Sequence, residues 1–366
     1  MSGEDGRHVI VETSELEAFC TAAYRAVGVP EADAELASTS LVEADLRGVY
    51  SHGVVRLPIY IERLAANAIT PAAAPKVERQ TRTTAVLDGD NGLGHVVSAR
   101  AMEIALDMSA GEECAFVAVN NSNHFGAAAY FAEMAAAKGA IGFAFTIGGI
   151  NHMTPWGGAD AMLGNNPFAV ALPTPLGFPI VLDMACSVAA RGKIIVAAKD
   201  GTPIPGDWAV GPDGVPTTDP VRALQGFVQP IAGPKGYALT LTVGLLSTML
   251  SGGAFGSEVT HMYDDLERPQ NIGHLFGVLP ISAFREMDEY NAHIEKAARD
   301  IKGVPLATGT DEIFLPGERE YRLKLKQRDN GVSITSAVLE ELKAMGGNYG
   351  LKAPEPIRVE QDASAA

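Results

Sequence analysis

The chain has 366 residues, 47% of them hydrophobic and 20% charged, which is the composition of a globular protein too long for one simple core. Its 28 basic against 44 acidic residues, net charge −16, exclude nucleic acid and anionic membrane surfaces as main partners. Three cysteines, Cys20, Cys114 and Cys186, stand far apart with no CxxC, which fits reduced thiols in the cytoplasm, and the acidic, polar start does not read as a signal peptide.

Thr13 to Val27 predicts a helix, with Ser14 and Glu17 at capping-box spacing and Leu16, Phe19, Cys20 and Tyr24 on one face. A second helix begins at Pro30 and reaches about Leu46, where Gly48 interrupts it. Next comes Ser51-His52-Gly53-Val54-Val55-Arg56, followed by Leu57, Tyr60, Ile61 and Leu64 at helical spacing as a buried stripe. If the helix starts by Ser51, His52 and Arg56 share a face. An arginine grips a carboxylate through two parallel hydrogen bonds, and a histidine exchanges a proton near neutral pH. A surface His–Arg pair is the plain alternative.

Ile69 to Gln80, rich in Pro and Ala, reads as a connector, Ala85 to His95 as a short strand with a glycine turn, and Val96 to Ser109 as a helix. From Cys114 the pattern is strand, polar turn, helix, strand: Ala115–Val119, Asn120 to Gly126, Ala127 to Lys138 ending before Gly139, then Ile141 to Thr146. A polar turn feeding a helix N-terminus offers unpaired N–H groups to a phosphate or carboxylate, with His124 at its mouth. The competing reading makes Asn123 a helix cap and His124 a polar loop residue.

Gly148 to Pro173 reads as irregular, Leu182 to Ala185 as the end of an apolar run, Ser187 to Ala198 as helix and Lys199 to Pro220 as loop, with Val221 to Gly226 ambiguous. Gly236 to Ser257 carries no charge and is long enough to span a bilayer, yet its glycines and hydroxyls favour a buried helix followed by a glycine turn. Asn271 to Leu279 predicts a strand, Ile281 to Lys302 an amphipathic helix and Ser333 to Met345 a final helix, ahead of a disordered tail, EQDASAA.

Several motifs are missing. No G-x-G-x-x-G follows a strand, no phosphate-binding G-x-x-x-x-G-K-[ST] occurs, and no G-x-S-x-G elbow is present. The eight histidines include no close metal-ligand pair. Ser51 and His52 make an unattractive hydrolase dyad, because adjacent side chains rarely aim at one another.

Asp45-Leu46-Arg47-Gly48 with Ser51-His52-Gly53-Val54 and Arg56-Leu57 resembles a D-x-x-G-x-x-S-H-G-x-x-R-L motif. Asn121 to Gly126, Pro155-Trp156-Gly157-Gly158, Gly164-Asn165-Asn166-Pro167, Leu182-Asp183-Met184-Ala185, Lys235-Gly236-Tyr237 and Leu315 to Glu320 follow in order. Together they resemble the malate/L-lactate dehydrogenase family of the sulfolactate dehydrogenase-like fold, from about Ser14 to Arg319. That family also takes in ureidoglycolate dehydrogenase, diketogulonate reductase and Δ1-piperideine-2-carboxylate reductase.

The resemblance implies an α/β, non-Rossmann fold, with a mixed-sheet cofactor domain over 81–280 and a helical domain built from 1–80 and 281–366. It implies a cytoplasmic homodimer using NAD or NADP on a small 2-oxo or 2-hydroxy carboxylate, with no metal. His52 would donate the proton with Ser51 relaying, and His124 would be the rival acid/base. Arg56 and Asn165 would bind substrate. His124, Phe125, Gly126, Ala127, Ala128, Asp183, Met184, Ala185, Arg191, Lys235, Pro316, Gly317 and Glu318 would contact the cofactor. Read bottom-up, hydride transfer to a 2-oxo or 2-imino acid needs a carboxylate clamp, a proton donor and a pyrophosphate seat, and the same residues supply them. A lowered pKa for His124 at the helix N-terminus favours His52 as donor.

Three positions depart from the family pattern: Thr146-Ile147-Gly148 for T-N-S or T-N-A, Pro234 for a frequent His, and Gly244 for a frequent Glu. The first leaves the substrate open, with a cyclic 2-imino acid as an alternative to a 2-oxo acid. Cofactor choice stays open too, since Arg191 and Lys193 would suit a 2′-phosphate or the pyrophosphate. A non-catalytic ligand-binding protein on the same scaffold is the alternative outside enzymes, against which stand Ser51, His52, Arg56, His124 and Lys235 together.

Overall fold

Two sheets organise the computed structural model, which describes residues 8–360. The first strand and three helices are β1 (His8–Val11), α1 (Thr13–Ala26), α2 (Glu31–Leu46) and α3 (Leu57–Ala65). β2 (Lys76–Gln80), β3 (Thr84–Asp88), α4 (Gly94–Ser109), β4 (Ala115–Ser122), α5 (Ala128–Ala136) and β5 (Ala140–Thr146) follow. Next are β6 (Phe168–Leu172), β7 (Ile180–Met184), α6 (Arg191–Asp200), β8 (Ala209–Val210), α7 (Pro220–Gln225), β9 (Phe227–Val228) and α8 (Pro234–Thr248). The chain continues through β10 (Ile272–Pro280), α9 (Met287–Lys302), α10 (Glu318–Asn330), β11 (Val332–Thr335), α11 (Ser336–Gly347) and β12 (Arg358–Glu360).

The large sheet has the order β2-β3-β4-β10-β5-β6-β7. It is mixed: β3 and β4 are parallel and every other neighbouring pair is antiparallel. β10 is inserted between β4 and β5 from far along the chain, and its apolar run is buried on both faces, as a central strand requires. Val117 and Val119 of β4 face a core shared with α4 and α5. By strand alternation Ala118 and Asn120 face the other way, where the Asn120 side-chain amide donates to the Ser251 carbonyl beyond α8 at 2.6 Å.

The second sheet joins the chain's two ends, with β1 between β11 and β12. A separate apolar core unites Leu16, Phe19, Leu41, Leu57, Ile61 and Leu64 of α1–α3 with Val332, Leu339 and Leu342. Gln327 of α10 donates to the carbonyls of Asp45 and Leu46 (2.9 and 3.0 Å), satisfying the C-terminal end of α2.

Several local expectations are corrected. Glu12, not the Ser14–Glu17 pair, caps α1, accepting the Glu15 N–H at 2.9 Å. Helix α3 begins at Leu57 rather than by Ser51: the backbone first makes two 3₁₀ turns, Tyr50–His52 and Val54–Arg56, broken at Gly53. A Cβ at Gly53 would lie 1.9 Å from the Asp45 carboxylate, so only glycine lets the chain pass there. The supposed connector holds an exposed edge strand, Lys76–Gln80, whose charged residues protect it from further pairing. Asn120 to Ser122 extend β4, Phe168 to Leu172 form a strand, and Val332–Thr335 pairs with β1 before the last helix starts at Ser336. Helix α8 buries Gly236, Thr240, Val243, Gly244, Ser247 and Thr248, leaving Leu245 and Leu246 exposed. Among the described residues no helix is long and apolar enough to cross a membrane. The last six residues of the tail lie outside the described residues.

Asp45 is buried and its carboxylate accepts the Val54 N–H at 2.8 Å, while burial pushes its pKa up to about 8. The folded chain therefore keeps a proton that the unfolded chain releases near its ordinary value of 3.8, so this group's contribution to stability is lost as pH rises from there towards 8. Asp45→Asn is expected to leave Tm nearly unchanged in acid and to raise it relative to the parent at about pH 8. The same Tm difference at both pH values would show that Asp45 is not protonated in the fold.

Candidate active site

A cleft of about 410 Å³ opens where the two cores meet. Its walls come from α2 (Ser40, Glu43) and Arg47 that follows it, the 3₁₀ turn (Ser51, His52), the start of α5, the end of β7, the approach to α6 and the start of α10. Three helix N-termini converge on it: Ala127–Ala129 for α5, Ala190 for α6 and Gly317 for α10. None of the three has a side-chain cap. Three positive dipole ends at one cavity make a seat that favours an anion. Small residues let a ligand approach that backbone. Gly126 has a positive φ of 79°, and a Cβ there would come within 2.9 Å of His95 Nε2.

Part of the seat is already engaged. Asp183, at the end of β7, accepts the Ala129 N–H at 3.0 Å, and its surroundings raise its pKa to about 6, mainly through loss of water. The other charges in the walls are Glu43, Arg47, Lys193 and Glu320. Arg47 is held by Glu43 at 2.8 Å and by both oxygens of Glu133. Lys193 lies 6.0 Å from the Trp208 ring centroid, a cation–π contact.

At the inner wall, Ser51 Oγ stands 2.9 Å from His52 Nδ1. Adjacent side chains do meet here, contrary to expectation, because the 3₁₀ turn brings them to one side where an extended segment would not. His52 Nε2 is thereby left outside this contact. The His52 and His124 rings are stacked, with centroids 5.7 Å apart and planes at 14°. Burial, and then the Arg56 charge, lower the His52 pKa to about 4. His124 is also held well below the ordinary range, first by burial and then by His52 and Arg56. A lowered pKa thus does not distinguish the two imidazoles. What distinguishes them is position: His52 lines the cleft, whereas His124 Nδ1 faces the Tyr60 hydroxyl at 2.7 Å and the Gly126 N–H at 3.3 Å.

Arg56 is placed beside this pair although no regular helix carries it. Its Nε donates to the Ser51 carbonyl at 2.6 Å, and its guanidinium lies 5.7 Å from the Tyr263 ring centroid. The loop bearing Tyr263 is fastened by fully buried Arg63, which donates to the carbonyls of Met262, Asp265 and Arg268. Asn165 lines the cleft, and Gly148 leaves it room, since a Cβ there would lie 2.6 Å from Asn165 Oδ1.

The cleft gathers Ser51, His52, Gly126, Ala127, Ala128, Asn165, Asp183, Met184, Ala185 and Gly317 of the expected residues. The remaining expected residues have other placements. Phe125 is 2% exposed and packs against Phe131, His274 and Phe276, so its side chain belongs to the core. The Glu318 carboxylate is occupied by Lys302 and Arg322 (2.6 Å each) and the Leu315 N–H; Glu320, one face round, reaches the cleft. Arg191 donates to the Leu224 carbonyl at 2.7 Å, Lys235 is exposed at the start of α8, and Pro316 accepts the Val181 N–H through its carbonyl. Asn123 does not cap α5. Its amide donates to Asn91 and Gly92 and fastens the neighbouring turn. Among the described residues no group of three His, Cys, Asp or Glu side chains could hold a metal ion.

Its relatives make the chain an NAD(P)-dependent dehydrogenase/reductase. The family model described as malate/L-lactate dehydrogenase matches residues 11–343. The chain is 38% identical to L-sulfolactate dehydrogenase of Methanocaldococcus jannaschii, over 90% of this chain and 94% of that one. It is 34% identical to the (2R)-3-sulfolactate dehydrogenase (NADP(+)) of Chromohalobacter salexigens, over 92% and 97% of the two chains. With the ureidoglycolate dehydrogenase (NAD(+)) of Escherichia coli it shares 33% identity over 86% and 89%. The structure of the M. jannaschii sulfolactate dehydrogenase superposes with TM-score 0.88 at 36% identity, covering 94% of this chain and 98% of that one. Δ1-piperideine-2-carboxylate reductase of Pseudomonas syringae gives 0.81 at 28% identity, over 92% and 99%. The chain belongs to the malate/L-lactate dehydrogenase family and has its non-Rossmann, sulfolactate dehydrogenase-like fold. Its cofactor is NAD or NADP.

Proposed function

We propose that this enzyme transfers a hydride between NAD(P) and a small 2-oxo or 2-hydroxy carboxylate. The observation that carries this reading is the placement of Arg56 beside the stacked His52–His124 pair, of which His52 lines a cleft bordered by three uncapped helix N-termini. The cofactor, when bound, supplies or takes the hydride. Arg56 grips the substrate carboxylate with the two terminal nitrogens left free by its Nε bond to Ser51. His52 takes the hydroxyl proton through Nε2 in oxidation and returns it in reduction, with Ser51 against Nδ1. Asn165 borders the substrate, and the starts of α5 and α10 hold the cofactor's phosphates.

Likeness to the P. syringae reductase supports a second reading, in which the same donor protonates the nitrogen of a cyclic 2-imino carboxylate. We also infer a cytoplasmic homodimer with the domain division 1–80, 81–280 and 281–366. The exposed leucines of α8 support the homodimer, and the two separate cores support the division into domains.

The test follows loss of reduced-nicotinamide absorbance with NADH or NADPH against panels of 2-oxo acids and cyclic 2-imino acids. Turnover with a 2-oxo acid is expected. Turnover with imines alone selects the second reading, and no nucleotide binding at all overturns both. A monomeric elution volume would remove the homodimer.

A further inference from the structure

Tyr60 is one of the largest fully buried side chains, and its ring stands edge-on to buried His95, with centroids 5.1 Å apart. Its hydroxyl emerges from that core to meet His124 Nδ1 at 2.7 Å, and the Gly126 N–H points at the same nitrogen from 3.3 Å. A main-chain N–H is only a donor, so Nδ1 must offer a lone pair. A proton on Nδ1 would set two N–H groups against each other. The arrangement is satisfied when His124 carries its proton on Nε2 and the Tyr60 O–H donates to Nδ1. Burial raises the Tyr60 pKa and keeps that hydroxyl protonated.

We propose that Tyr60 is a positioning residue which, with the Gly126 N–H, locks His124 in the Nε2–H tautomer, making His124 a fixed hydrogen-bond donor rather than the proton carrier. The two stacked imidazoles then have separate tasks. His52, with a hydroxyl on Nδ1 and an open Nε2, gains and loses the proton. His124 holds its own proton and presents it to an oxygen of the bound ligands. This assignment rests on the oxidoreductase reading above.

The first measurement is ¹⁵N NMR of histidine-labelled full-length protein, with the His124 signals assigned by their loss in His124→Gln. A protonated Nε2 and an accepting Nδ1 are expected across the neutral range. Tyr60→Phe is expected to weaken the acceptor signature at Nδ1 and to lower kcat/KM about tenfold, the effect of one hydrogen bond lost from a buried site. The pH profile supplies the second readout. In both Tyr60→Phe and His124→Gln the ionisation that governs kcat/KM is expected to persist, because it belongs to His52. A proton on Nδ1 of His124 in the parent protein would overturn the proposal, as would loss of that ionisation in His124→Gln. Absence of nicotinamide turnover in the parent would defeat the reading beneath it, while the tautomer measurement would still stand or fall by itself.

Discussion

His52→Ala is expected to lower turnover by about a thousandfold, within the range for removal of a general acid–base group, with nucleotide affinity unchanged. Nucleotide affinity is expected to hold because His52 is carried by a 3₁₀ turn and is not one of the helix starts proposed to hold the phosphates. The pH dependence should differ by direction of reaction. With a pKa near 4, lowered first by burial and then by Arg56, free His52 is neutral above that value. Oxidation needs the neutral base, so its kcat/KM should be flat at neutral pH and fall in acid. Reduction needs the imidazolium, so its kcat/KM should decline as pH rises. A carboxylate held by Arg56, as proposed, would remove part of the repulsion and raise the His52 pKa in the complex. Stopped assays in both directions over a range of pH, on parent and variant, measure these effects. A His52→Ala enzyme with parental kcat would remove His52 from the proton's route.

Arg56→Ala should act on the other parameter. Loss of a charge-assisted bond pair is expected to raise KM for the carboxylate by about a hundredfold, with little change in cofactor affinity. Arg56→Lys should recover only a small part of this, because an ammonium cannot reproduce the planar fork or the stacking on Tyr263. Neighbouring guanidinium groups cannot substitute. Arg47 is held by Glu43 and Glu133, and Arg63 is bound to three loop carbonyls. An unchanged KM in Arg56→Ala would mean that the carboxylate lies elsewhere.

The central strand–helix–strand unit was legible because its apolar runs are strong and its boundaries are marked by Gly139 and by the polar stretch before α5. The site motifs were legible as an ordered set. The geometry at Ser51–Arg56 was not. A four-residue spacing looks helical in one dimension, and the close approach of Asp45 to Gly53, where the two short turns are broken, leaves no periodic trace. Pairing of β1 with β11 joins residues 325 or so apart in register, for instance His8 with Thr335, and four-residue strands give little periodic signal at such range. Tyr60 shows a different limit. Its spacing with Leu57, Ile61 and Leu64 correctly marks it as core, yet the tip of the same side chain reaches His124. Periodicity reports where a ring is buried and says nothing of where its hydroxyl ends. Glu43 and Tyr263 were missed because each comes from a segment with no local motif, and Glu320 because the motif that ends with it does not say which of its carboxylates faces the cleft.

Three uncapped helix starts meeting at one cleft have a consequence for how such a sequence drifts. Main-chain amides grip a diphosphate whatever side chains accompany them, provided those stay small. Most substitutions along these segments should therefore be silent towards the diphosphate, and the signature of the seat is a fold rather than a string of letters. Discrimination between the two nicotinamide dinucleotides is then expected to fall to the few long side chains that line the cleft, Glu43, Lys193 and Glu320 among them. An enzyme so constructed is able to exchange one redox currency for another by changing its border while its foundations stay put.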